Sequence, residues 1–230
     1  MDRSFSSPSP SPSPTPRRGF LGSAAAGVAL LLTGGARRAD ALSSGLENPK
    51  SGDAWLSRIT GKHKQFFDAT TMNDGFPFGF AMTFMNTNKA AYSLGDRDLT
   101  AVVGLRHFAI PMALSDDIWK KYKLGEMMNV KDKSTTQAAE RNVYSHVREG
   151  DLMTPDMAVD KMMARGVIVT VCNVALTVLS GLRAPVAGVT PAAAYEEWKA
   201  ALAPGVIIVP SGVLAVNRAQ ERGCTYCYAG

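Results

Sequence analysis

The sequence predicts an α/β sandwich built around a mainly parallel sheet of about five strands. Three observations predict it. Short β-branched runs such as "VIVTVC" and "VIIVP" are almost continuously apolar, as strands buried on both faces are. Stretches with helical spacing of apolar residues separate them. Strand and helix alternate along the chain, which is the pattern of a sheet with helices on its faces. With 230 residues and 46% hydrophobic content, the chain fits one globular domain plus an appendage.

The appendage comes first. "SPSPSPSPTP" is low-complexity and builds no core. A charged pair, Arg17 and Arg18, then precedes Phe20, Leu21 and the apolar "GSAAAGVALLL", and "ARRADA" offers a small-residue cleavage site. This is the three-part layout of an export signal. The twin arginines with Phe20 and Leu21 resemble the bacterial twin-arginine signal, which implies passage through the Tat translocase and a periplasmic destination. The expected leader is 1–41 and the mature domain 42–230. A membrane-anchoring helix is the competing reading, but the stretch is rich in Gly and Ala, and a span wants roughly 20 predominantly apolar residues. No later segment is expected to span a membrane.

Residues 42–62 are polar and read as an arm. "KQFFDATT" (64–71) reads as a first strand, and Ala81, Phe84, Met85, Asn88 and Tyr92 give a helix over 79–93 that ends before Gly95. "LTAVVGLRHFAIP" (99–111) is a second strand. Ser115 caps "DDIWKKYKLG", with acids early and lysines late, as the helix dipole favours, and Gly125 closes that helix.

Residues 126–153 lack a firm apolar period. They read as a polar insertion able to cover a cleft, with a short helix in "TTQAAERNVYSHV". Thr154 and Pro155 then open the helix "DMAVDKMMARG". "VIVTVC" (167–172) is a third strand. Thr190-Pro191 opens a helix carrying Tyr195, Trp198 and Leu202 on one face. "VIIVP" (206–210) is a fourth strand, Ser211 starts a last helix that Gly223 ends, and "CTYCY" is a short fifth strand at an edge.

Charge excludes one class of partner. The net charge is +5, but five of 25 basic and two of 20 acidic residues lie in 1–41, leaving 20 minus 18, or +2, for the rest. No basic patch interleaved with aromatics remains, so nucleic-acid binding is not expected.

In open α/β sheets, ligands gather beyond the carboxyl ends of the strands. Cys172 ends strand three, Arg106 and His107 end strand two, and Pro210 and Ser211 end strand four. Cys172 has two readings. It is a small buried packing residue, or a thiol favoured as thiolate by the backbone N–H groups of a strand-to-helix junction and fit for persulfide or disulfide exchange. Arg106 would assist the second. His107 either orients the thiol and takes its proton or is a half-buried, hydrogen-bonded histidine. His63 and His146 read as surface residues, and no closed zinc set is visible. Cys224 and Cys227 are weak candidates for a metal or redox site. If 224–228 is extended they face opposite ways, roughly 10 Å apart. A disulfide from Cys172 to one of the two stays open, as does plain packing. Asp116, Asp117 and Asp156 are explained by helix first turns. No cofactor is indicated, since no P-loop or G-x-G-x-x-G is present.

"RGVIVTVCNVAL", followed by "LAPGVIIVPSGVLAVNRAQERGCTY", resembles the C-terminal half of DsrE/DsrF-like proteins, and "LTAVVGLRHFAIPMAL" is similar to that family's second strand. The likeness covers about 100–230. It implies a three-layer α/β/α fold, a homo-oligomer, and a cysteine at 172 that accepts and passes persulfide sulphur with a donor or acceptor protein. The expectation is therefore an exported sulphur-relay or thiol-exchange protein, possessing sulfurtransferase-like activity if it is an enzyme. The alternative is a non-enzymatic oligomeric module that binds a small ligand or partner under 126–153.

Overall fold

The computed structural model describes residues 53–230. The expected leader and the start of the arm lie outside the described residues. Among these residues five strands form one sheet: β1 (His63–Ala69), β2 (Leu99–Leu105), β3 (Ile168–Cys172), β4 (Ile207–Val209) and β5 (Thr225–Tyr228). Their order is β4-β3-β2-β1-β5, and every pairing is parallel. The predicted α/β/α sandwich is the observed architecture.

Among the described residues seven α-helices accompany the strands: α1 (Phe76–Tyr92), α2 (Asp116–Lys121), α3 (Leu124–Met128), α4 (Val159–Ala164), α5 (Asn173–Arg183), α6 (Pro191–Ala200) and α7 (Gly212–Glu221). Strand alternation sorts the core into two layers. Phe67, Val103, Leu105, Val169 and Val171 point to one face, where they meet residues of α1, α4, α5 and α6 such as Met85, Met162, Leu176 and Trp198. Phe66, Val102, Ile168 and Val209 point to the other, under Ala215 and Ala219 of α7.

That second layer corrects the arm. Residues Ala54–Arg58 form a 3-10 turn, and Trp55, Leu56 and Ile59 are buried against the α7 side of the sheet. Their burial comes from a single turn too short to display a period.

Other boundaries move for local reasons. Strand β2 stops at Leu105, because His107 takes a left-handed φ of 49° and His107–Ala113 coils as a 3-10 helix. The helix after Ser115 breaks at Lys123, also left-handed, and restarts as α3. Gly125 therefore does not end a helix. A Cβ there would lie 2.3 Å from the Ala139 carbonyl oxygen, so glycine lets the insertion's backbone lie against α3. Thr154-Pro155 opens a 3-10 turn (Pro155–Met157), and α4 begins only at Val159. Thr190 and Ser211, read as helix starts, cap with their side chains by accepting the N–H groups of Ala193 and Leu214, whereas Ser115 and Thr154, read as caps, make no side-chain cap bond.

The insertion forms no helix over "TTQAAERNVYSHV". Polar groups and the buried apolar residues Ala139, Tyr144 and Met153 hold it. The buried Arg141 guanidinium pairs with Asp132 and Asp151 and donates to the His146 carbonyl. Asn142, fully buried, donates to the carbonyls of Met112 and Leu114. Among the described residues no single helix is long and apolar enough to cross a membrane.

Candidate functional site at the carboxyl edge of the sheet

The parallel register carries the candidate residues to one edge. The last paired rungs are Ala69 with Leu105 and Leu105 with Val171. One step further stand Arg106 and Cys172, both on the α7 side by alternation. Between them sits the first residue of α7. A Cβ on Gly212 would lie 2.8 Å from the Cβ of Arg106 and 3.3 Å from that of Cys172. Strands β2 and β3 and the turn after β4 thus converge on one point, as the predicted strand ends require.

Cys172 is the N-cap of α5. Its Sγ accepts the Ala175 N–H at 3.4 Å, so the sulphur occupies the place of a capping oxygen. The residue is 7% exposed. Its rim is partly apolar, with Val174, Val213 and Leu214 exposed beside it in sequence or on α7. The residue is buried, and its sulphur faces a backbone N–H at the strand-to-helix junction, so features of both readings meet in it.

Arg106 is held by Asp68. Nε donates to Oδ1 at 2.7 Å and Nη2 to Oδ2 at 2.8 Å, a bidentate pair. Asp68, 2% exposed, also accepts the Tyr226 hydroxyl at 2.9 Å. The bond to Asp68 raises Arg106 above its ordinary value against the cost of burial, and the nearby Cys172 adds to the same effect. Burial and the Asp68 contact push the Tyr226 phenol up. Arg106 Nη1 makes no hydrogen bond among the described residues, so one N–H₂ of a fixed guanidinium is left for an incoming acceptor.

His107 is exposed, and its imidazole makes no hydrogen bond among the described residues. The left-handed turn there lets the Phe108 N–H reach the Thr70 carbonyl. His63 and His146 are exposed and bond to Asn88 and Asp116 respectively. No group of three or more His, Cys, Asp or Glu suited to a metal ion occurs among the described residues.

All three cysteines are free thiols. Cys224 packs in the layer under α7 and Cys227 against the opposite layer, the two faces expected of an extended segment. Burial pushes both thiols above the usual value, although Lys64 partly offsets this for Cys224.

No family model, curated protein or solved structure matches the chain.

Sequence reasoning missed Asp68 and Tyr226. Asp68 left a signal: it is the lone acid within "QFFDA", and a carboxylate in a buried strand requires a partner. Tyr226 left only its alternation with Cys224, which puts it on the α7 side once β5 is placed beside β1.

Proposed function

We propose that the chain is an exported sulphur-relay or thiol-exchange protein of the DsrE/DsrF-like kind, with Cys172 as the acceptor. The observation that supports this reading is the Cys172 Sγ at the start of α5, bonded to the Ala175 N–H and flanked across Gly212 by Arg106. An anionic sulphur there meets a hydrogen-bond donor and the positive end of a helix of 11 residues. In the transfer step the Cys172 thiolate attacks the outer sulphur of a donor persulfide. The donor's S–S bond breaks, a new S–S bond forms on Cys172, and the donor leaves as a thiolate. Arg106 Nη1 would bind the leaving or incoming anion. The same reading includes export through the Tat translocase to the periplasm, a homo-oligomer, and a protein that donates or accepts the sulphur.

Incubation with a persulfide donor followed by peptide mass spectrometry tests it. Expected is the gain of one sulphur atom on Cys172, with Cys224 and Cys227 unchanged. Equal uptake by Cys172→Ser and wild type would sink the reading. The limited exposure of Cys172 favours the second reading, a non-catalytic binding module. That reading expects Cys172→Ser to be silent in every assay and the thiol to alkylate no faster than Cys224.

A further inference from the structure

A concavity lies at the same end of the sheet and shares no lining residue with the Cys172 group. It is a cleft of about 750 Å³ between the loop after β1 (71–74), Phe108 and the 126–153 insertion. That volume lies within the range of small-molecule sites, ~300–1,000 Å³. Its walls are unusual in composition. Met72 and Met153 come from opposite sides, Met127 and Met128 come from α3, and Phe108 stands exposed at the edge. Thioether side chains make an adaptable apolar surface.

Three donors face this surface. Lys131 and Lys133 line the cleft, are exposed, and take part in no ion pair among the described residues. Tyr144 is the third. Its ring is packed against Trp119, and the residue is 4% exposed, yet its hydroxyl makes no hydrogen bond among the described residues. The hydroxyl is not sealed in the core, since Trp198 Nε1 is the solvent-inaccessible unpaired side-chain donor among the described residues, so the Tyr144 hydroxyl is free to donate to a ligand in the cleft. Burial, helped by the nearby Asp74 carboxylate, keeps that phenol protonated and therefore a donor.

The charges limit the ligand further. Asp74 opposes the two lysines, and Asp151, which also lines the cleft, shares the single charge of Arg141 with Asp132. An anionic head group would therefore be held by the position of the two unpaired lysines and not by an excess of positive charge. We propose that this cleft binds a small amphiphilic monoanion, a carboxylate or sulfonate on an apolar chain, with the chain on the methionines and the head group on Lys131, Lys133 and the Tyr144 hydroxyl. The site does not depend on whether Cys172 reacts.

Calorimetry of the full chain with decanoate, below its micelle concentration, and with decan-1-ol tests it. Decanoate is expected to bind one to one, about tenfold tighter than the alcohol, the scale of one charge-assisted hydrogen bond. Lys131→Met with Lys133→Met keeps the apolar stems and should erase that preference. Tyr144→Phe should weaken decanoate a few-fold without changing its stoichiometry. Cys172→Ser should bind decanoate as wild type does, whatever the outcome of the persulfide assay. Equal affinity for acid and alcohol, a preference that survives the double lysine change, or loss of binding in Cys172→Ser overturns the proposal. So does co-sedimentation with phosphatidylglycerol vesicles in the absence of decanoate binding, which would assign the surface to a membrane. The double lysine variant alters only exposed side chains, so the test stands even where Tyr144→Phe fails to fold.

Discussion

A methyl group on Gly212 has no room, because Arg106 Cβ and Cδ would both lie within 2.9 Å of it. The conflict is with a side chain that its Asp68 pair keeps from swinging away. Gly212→Ala is therefore expected to cost about 1–3 kcal/mol, as overpacking does, and to slow any sulphur uptake by Cys172. Urea unfolding and the persulfide assay read the two effects separately. Asp68→Asn keeps the volume but strips the charge opposite a half-buried guanidinium. Breaking a buried pair from one side costs about 3–5 kcal/mol, and the 21% exposure of Arg106 places this case toward the lower end. The expected readout is a lowered urea midpoint with an unchanged m-value. Cys172 and Arg106 were legible in the sequence because each ends an apolar run. Asp68 was less so, since its meaning depends on which strand lies beside β1.

The insertion shows at the level of an element why part of the fold was not legible. Its order rests on Arg141, whose two carboxylate partners lie 9 and 10 residues away, and no helical or strand period encodes such a triad. By contrast "VIVTVC" announced β3 through composition alone. The triad also sets a pH dependence. The hydrogen bonds from Arg141 and Ser134 hold the Asp132 carboxyl well below the ordinary carboxylate range. A carboxylate lowered in the folded state stabilises it fully above the unfolded value, near 4, and loses that contribution as pH falls through the depressed one. Proteolytic nicking within 126–153 should thus rise as pH drops below about 4. Asp132→Asn should remove much of that pH dependence while raising nicking at pH 7. Arg141→Ala should open the segment at neutral pH, since it leaves two buried carboxylates without their cation.

Across the whole molecule, the sheet divides two unequal layers, and the thinner one depends on a turn outside the α/β alternation. Trp55 and Leu56 close the layer that α7 covers only in part. Trp55→Ala is expected to cost roughly 3–5 kcal/mol, comparable to other large core truncations, and to leave unfolding a single transition. Calorimetry checks both statements. If instead the turn 54–58 were a loosely attached arm, the change would fall within about 0.5 kcal/mol, as surface changes do.

Strand β5 lies against β1, so Gln65 meets Thr225, 160 positions further along the chain. At bacterial or eukaryotic rates of about 5–20 residues per second, the ribosome adds that length in roughly 8–32 s. For that time the outer edge of β1 has no neighbour, and the Tyr226 hydroxyl is absent from Asp68. The nascent domain must keep one open strand shielded until β5 is made, so a chaperone that holds the newly made chain would act on that edge first.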